Sequence, residues 1–551
     1  MRSRDLNRRG FLAGTAAAVL ATGLDSGVAS AADRRTSRSA DDPVTTESGQ
    51  VTGIQGGLKG IVAYKGIPYA DTTAGANRWR PPQPAPSWDG IRKANAWGPA
   101  CPQPVTGIPS DQVPDLSEDC LNLNIWTGAA TSGESRPVLV WLPGGRDTAI
   151  WTGQEIYNGS LLANKGVVFV SVNHRVGPFA DLAHPDLSAE SGHSASGNWG
   201  ALDAVAALEW VARNIAAFGG DPDRVTLAGW QNGANLVNIL LASQSARGLF
   251  HRALLPSGVH YTKDPALGQP PYGYRTLADA ETNGTAFAAY LSCSSLTDLR
   301  ALSADEIVAW TYAADAPADA TGFGDVLDGY VLPSTYTAAM EAGREIDVPV
   351  LTGNCRDGNA ASPTLTEYQA YADARFGPLG LTDTFLDLYP ATTDAEATTQ
   401  YNACARDEER VSTFLWGGQF EDTAGNHGPV HTYFWTRVPP GHDATNPVVG
   451  SGSSGAFDGA DVYYLLGFLY NTDRPWAGRD YDIADTTASY VANFAATGDP
   501  NGGSLATWPA LDTGTPQTME LGDHFATLPA ADSDAKYAFL KAYLTSQPMS
   551  Y

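Results

Sequence analysis

The stretch from Arg224 to Leu241 constrains the fold more than any other part of the chain. Arg224-Val225-Thr226-Leu227-Ala228-Gly229 reads as a short buried strand, and Gly233-Ala234-Asn235-Leu236-Val237-Asn238-Ile239-Leu240-Leu241 reads as a helix. Residues 229–233 therefore form a sharp strand-to-helix turn with Gly at both ends. Two further apolar runs, Val138-Leu139-Val140-Trp141-Leu142 and Val167-Val168-Phe169-Val170-Ser171-Val172, are bounded by Pro and Gly, as strands buried on both faces are. A helical stretch is expected between them. Residues 199–218 place Leu202, Ala206, Leu208, Trp210, Val211 and Ile215 at helical spacing, and Phe218-Gly219-Gly220-Asp221-Pro222 stops that helix. Strands alternating with helices predict an α/β protein with a mostly parallel central sheet covered by helices on both faces.

No internal repeat or linker divides residues 51–551, which are expected to form one domain. With 551 residues, 43% hydrophobic and 17% charged, the chain has ample material for a core. Its net charge of -26 argues against nucleic acid or an anionic membrane as partner. Residues 1–31 carry Arg2, Arg4, Arg8 and Arg9, then an apolar run from Phe11 to Leu24, then Ala29-Ser30-Ala31. That order is a signal peptide with a small-residue cleavage site. Arg8-Arg9 before Gly10-Phe11-Leu12 resembles a twin-arginine signal, which implies a bacterial protein exported already folded, an ordinary secretory signal being the alternative. Residues 32–50, rich in Ser, Thr, Asp and Arg, are expected to be a flexible leader. Elsewhere no segment reaches the roughly 18 apolar residues of a membrane span.

Five cysteines leave at least one thiol over. Cys101 and Cys120 flank a loop rich in Pro, Gly and Asp and are the best pair; a bridge there would stabilise by about 3 kcal/mol. Cys293, Cys355 and Cys404 stay unassigned, and their spacing is not that of a zinc site.

Several blocks of the chain together carry a resemblance: Tyr64-Lys65-Gly66-Ile67-Pro68-Tyr69-Ala70, Arg78-Trp79-Arg80-Pro81-Pro82, Ser117-Glu118-Asp119-Cys120-Leu121-Asn122-Leu123-Asn124-Ile125-Trp126, Asn173-His174-Arg175-Val176-Gly177 and Gly197-Asn198-Trp199-Gly200-Ala201-Leu202-Asp203. With these and the turn at 229–233, the sequence resembles the type-B carboxylesterases, a family with the α/β-hydrolase fold that includes cholinesterases and para-nitrobenzyl esterases. The likeness covers nearly the whole chain after residue 50. It implies that the family's first disulfide falls on Cys101 and Cys120, while the second, beginning at Cys293, lacks a partner.

The family's chemistry needs a Ser nucleophile on the elbow, a His base and a carboxylate to orient the His. By this resemblance the chain departs at each position. The elbow reads Gly229-Trp230-Gln231-Asn232-Gly233, with Gln231 at the Ser position, and an amide forms no acyl-enzyme at useful rates. The acid turn reads Arg356-Asp357-Gly358-Asn359, with Gly358 at the Glu position, or Asp357 if the alignment slips by one. The His motif reads Gly455-Ala456-Phe457-Asp458-Gly459, with Asp458 at the His position, and the oxyanion loop reads Pro143-Gly144-Gly145-Arg146-Asp147.

The family's oxyanion hole is made of backbone N–H groups, here those of Gly145, Arg146 and Asn232, which side-chain changes leave in place. Asp458 at the base position could move a proton, with Gln231 as an added donor and Arg146 beside the hole. These residues point to a repurposed enzyme that performs non-hydrolytic acid/base chemistry, such as cyclisation, isomerisation or elimination, on a small, largely apolar carbonyl compound. Trp230 is expected on the pocket wall. One alternative is a non-catalytic binding protein in which Asp458 merely pairs with Arg146 or Arg356. Another is an ester hydrolase using Cys355, Ser257 or Asp357 as nucleophile. His427, His431 and His442 are candidates to substitute for the lost His; His431 begins a strand-like run and is expected in the core or at a strand edge, and His442 sits in a loop beside Asp443. Asp458 and Asp461 lie at i, i+3 without a third ligand, and Gly144-Gly145 is too short for a phosphate loop, so no metal or cofactor is assigned.

Overall fold

The computed structural model describes residues 38–551 apart from 106–107, 109–112, 146–148, 269–272, 423–427, 443–451 and 549–551. The signal-like segment, Arg146, His427 and Asp443 lie outside the described residues. Eleven strands form the central sheet. In chain order they are β1 (Ile54–Gln55), β2 (Val62–Pro68), β3 (Asn122–Thr127), β4 (Arg136–Leu142), β5 (Val168–Val172), β6 (Gly220–Gly229), β7 (Arg252–Pro256), β8 (Val350–Cys355), β9 (Val430–Trp435), β10 (Gln517–Leu521) and β11 (Ala526–Pro529). Their spatial order is β11-β10-β9-β8-β7-β6-β4-β5-β3-β2-β1. The run from β10 through β5 is parallel throughout, and antiparallel pairs close both edges. The parallel strands are apolar without alternation because helices cover both faces. Val138 to Leu142 and all of β5 and β8 are buried.

Helices α1 (Trp199–Asn214), α2 (Asn232–Ala242), α3 (Asp394–Asp422), α4 (Val462–Leu466) and α5 (Gly478–Thr497) matter most for the site. The helix expected between β4 and β5 is reduced to a 3-10 turn at Glu155–Tyr157 and one short helix at Ser160–Asn164. Packed structure also begins earlier than residue 51. Val44–Thr45 pairs with Gln50–Thr52, and Val44, Thr46 and Ser48 are buried, so the expected leader is ordered in its second half. The polar composition of this stretch hid two strands of two and three residues, which join Ile91–Lys93 in a small separate sheet and need few apolar residues. Cys101 and Cys120 are both buried and stand as thiols in contact rather than as the expected disulfide. Among the described residues no helix is long and apolar enough to cross a membrane.

His431 lies inside β9, 2% exposed, as expected of a core histidine. Burial pushes its pKa down to about 4, against the weaker opposing pull of Asp499. A neutral buried imidazole means that the unfolded chain takes up a proton near pH 6.5 that the folded chain refuses until about pH 4. Stability should therefore drop as the pH falls through that window, by about 3 kcal/mol from this residue. A His431→Gln variant should flatten this part of a urea-denaturation pH profile. An unchanged slope between pH 6.5 and 4 would contradict the assignment.

Candidate functional site

The parallel strands send their carboxyl ends to one edge of the sheet. β4 lies between β5 and β6, so the chain leaves β4 to one side for β5 and crosses to the other for β6. The loops that follow β4 and β6 diverge there, and in open α/β sheets such a switch point makes the crevice where ligands bind. Leu142 pairs with Gly229 at that point. Pro143-Gly144-Gly145 therefore lies beside Trp230-Gln231-Asn232.

Gln231 sits on the turn at φ 49°, ψ -118°, a conformation that L side chains rarely adopt. Close glycine packing on either side enforces it. A Cβ on Gly144 would lie 2.1 Å from the Trp230 carbonyl oxygen, and one on Gly229 would lie 2.5 Å from the Gly233 backbone. Helix α2 starts at Asn232, whose N–H is among the first four that have no acceptor within the helix. The Gly145 backbone is buried next to it.

Asp458 comes to the same place from a residue 227 positions further on. Its Oδ2 accepts a hydrogen bond from Gln231 Nε2 at 2.5 Å, and its Oδ1 accepts one from Trp230 Nε1 at 2.9 Å. The carboxylate is half-buried, and each oxygen keeps a further lone pair for a ligand proton. Gly358 completes the group: a Cβ built there would lie 3.6 Å from the Asp458 Cβ. Gln231, Gly358 and Asp458 are thus brought together, as expected from the sequence.

Gln231 gives one of its two amide N–H groups to Asp458 and keeps the other. Several other expectations are corrected. Trp230 does not form an open pocket wall: it is 2% exposed, and its ring packs over Gly459, where a Cβ would come within 2.3 Å of the indole. The indole is enclosed between Gly144 and Gly459, neither of which has room for a Cβ beside it. Arg356 pairs with Asp357 and not with Asp458, the shorter reach to its own neighbour deciding the matter. Asp357 itself is 9% exposed and accepts from Arg356, from Arg406 of α3 and from the Ala456 N–H at 2.8 Å. Burial alone would raise its pKa, but these donors outweigh it and hold the carboxyl below its usual range. That makes Asp357 an anchor for the loop leading to Asp458. The anchor is tight, for a Cβ on Gly455 would strike Asp357 Oδ2 at 2.3 Å.

Cys355, one of the alternative nucleophiles, is buried. Burial and the negative charges of Asp461 and Asp458 raise its thiol well above the usual range, the opposite of an activated nucleophile. Asp461 is fully buried behind Asp458 and accepts from the Tyr433 hydroxyl at 2.5 Å. Burial pushes its pKa up to about 6. Phe457, Tyr463 and Tyr464 are core residues. Sequence reasoning missed His260, which follows β7 and comes within 3.4 Å of Asp264 Oδ2. Burial opposes its charge, but Asp264, Glu409 and Glu408 outweigh that and raise its pKa to about 9.

With this geometry in place, comparison with known proteins decides the lineage. The sequence profile described as Carboxylesterase family matches residues 40–540. The chain belongs to the carboxylesterase family. The chain is 32% identical to the Fumonisin B1 esterase of Sphingopyxis macrogoltabida, over 86% of this chain and 85% of that one. It is 30% identical to the Para-nitrobenzyl esterase of Bacillus subtilis (strain 168), over 87% of this chain and 94% of that one. A solved structure of a PNB esterase superposes with a TM-score of 0.71 at 26% identity, covering 92% of this chain and all of that one. The α/β-hydrolase fold, with its largely parallel sheet and flanking helices, follows from both comparisons.

Proposed function

We propose that this chain is an exported carboxylesterase-fold enzyme that has left serine-ester hydrolysis for acid/base chemistry on a small, largely apolar carbonyl compound. In this reading Gln231, Gly358 and Asp458 occupy the positions of the family's Ser, Glu and His. The observation that carries it is the Gln231 amide on a strained elbow, 2.5 Å from Asp458 Oδ2, with Trp230 fixing the other oxygen. An elbow hydroxyl and an imidazole, the two groups an acyl-enzyme needs, have no counterpart in that array. A carboxylate aimed by two N–H donors is the equipment of a general base. It would take a proton from the carbon next to the carbonyl, while the Asn232 and Gly145 N–H groups face the oxygen on which charge develops. The products would be those of cyclisation, isomerisation or elimination.

The test needs no knowledge of the natural product. The purified protein is incubated in deuterated water with small ketones and 1,3-dicarbonyl compounds, and exchange of the α-hydrogens is followed by NMR. Wild type should catalyse exchange of at least one class, and Asp458→Asn should lower the rate by roughly 10²–10⁴ with its melting temperature nearly unchanged. Exchange no faster than in buffer would leave a non-catalytic binding protein. Labelling of wild type by a fluorophosphonate probe would return the esterase reading through another nucleophile.

A further inference from the structure

One turn along α2 from Gln231, a second polar space opens. Asn235 and Asn238 of α2 line a cavity of about 20 Å³ together with His260, Tyr274, Tyr336 and Trp416. The acid turn touches the surroundings of both places. Gly358 faces Asp458, and the Asn359 amide donates to Glu409, whose charge faces His260. The cavity walls are more than nine-tenths buried at Asn238, Tyr336 and Trp416. Asn238 spends its amide nitrogen on the Gly258 carbonyl, which leaves its Oδ1 facing the space without a donor among the described residues. The Tyr336 ring stacks on the Trp416 indole with centroids 6.4 Å apart. The Tyr336 hydroxyl and the Trp416 N–H draw toward each other there, yet neither reaches a partner in good hydrogen-bonding geometry among the described residues.

Leaving a buried acceptor and a buried donor unmatched costs on the order of 1–3 kcal/mol each, so a group that fills the cavity and satisfies them is favoured. The unmatched set specifies that group. It must donate to Asn238 Oδ1 and accept from the Trp416 N–H, and it must be small. An anion would meet the Asn238 carbonyl oxygen head on, with Asp264, Glu408 and Glu409 close behind His260. An alkyl group would leave both atoms unmatched.

We infer that this cavity binds the hydroxyl group of a small alcohol, donating to Asn238 Oδ1 and accepting from Trp416 Nε1. Ethanol and xenon serve as probes on the whole folded protein, ethanol followed by protein-observed NMR titration and both by crystal soaks. Ethanol should bind with its oxygen between Asn238 and Trp416, and xenon should stay out, because polar cavities of this size hold water or polar groups while apolar ones take xenon. Asn238→Leu should weaken ethanol at least about tenfold, which is 1.4 kcal/mol. Because that variant also loses the Gly258 contact, Trp416→Phe provides a second test with the same expected direction. Xenon in the wild-type cavity, or ethanol binding unaltered in a folded variant, would overturn the inference. Binding is read without turnover, so failure of the acid/base reading shows as bound ethanol with no α-hydrogen exchange.

Discussion

Changing three residues together, Gln231→Ser, Gly358→Glu and Asp458→His, is expected to install ester hydrolysis. Para-nitrophenyl ester turnover should rise on the order of 10² or more over wild type, and a fluorophosphonate probe should label residue 231. None of the three single variants should do either, because a triad acts as a unit and each member is of little use alone. The geometry favours the combination. The elbow at position 231 already holds φ 49°, which is what exposes a nucleophile at the top of the sheet. Position 358 is open: the nearest atoms to an added Cβ are 3.5 to 3.9 Å away, all in ordinary contact, and they include the Cβ of residue 458. A carboxylate there would grow toward an imidazole at 458, which in turn reaches residue 231. Silence from a folded triple variant would mean that these positions are not the family's triad. Strong activity from Gln231→Ser alone would mean that another base serves the site.

Gly233→Ala carries the largest expected cost to stability. Its Cβ would lie 2.2 Å from the Leu142 carbonyl oxygen and 3.0 Å from that of Pro143, and both are backbone atoms that cannot swing away. Helix α2 would have to lift from the β4 end, against the pairing of Leu142 with Gly229. A loss of roughly 3 kcal/mol or more, or failure to fold, is expected. Gly478→Ala is the control, at the first turn of α5 with nothing within 4 Å of the new methyl. It should stay within about 0.5 kcal/mol of wild type in urea denaturation. Equal stability of the two variants would remove the close-packing argument for the elbow.

What could be read from the chain alone divides by range. The β6 strand, the α2 helix and the turn between them were legible because their signals, continuous apolar residues, helical spacing and paired glycines, all lie within 20 residues. The same holds for β4, β5, β9 and α1. The meeting of Gln231 and Asp458 was reached only through resemblance, since no local pattern links residues 227 positions apart. What each side chain does there was not legible at all. The indole hydrogen bond of Trp230, the two guanidiniums on Asp357 and the Asn359 contact with Glu409 depend on how α3 and the 455–460 loop lie over the sheet edge. His260 was passed over because a lone histidine after a strand carries no signal until the acidic face of α3 is brought against it.

Asp357 ties three distant pieces of chain into one clasp: the end of β8, the outer helix α3 through Arg406, and the backbone at Ala456 two residues before Asp458. Arg406 reaches this clasp from the surface, with its side chain 39% exposed. The aim of the half-buried Asp458 carboxylate is thereby geared to a residue that solvent touches. Lineages of this fold can shift how residue 458 is aimed by altering the outside of α3, and leave every pocket residue as it was.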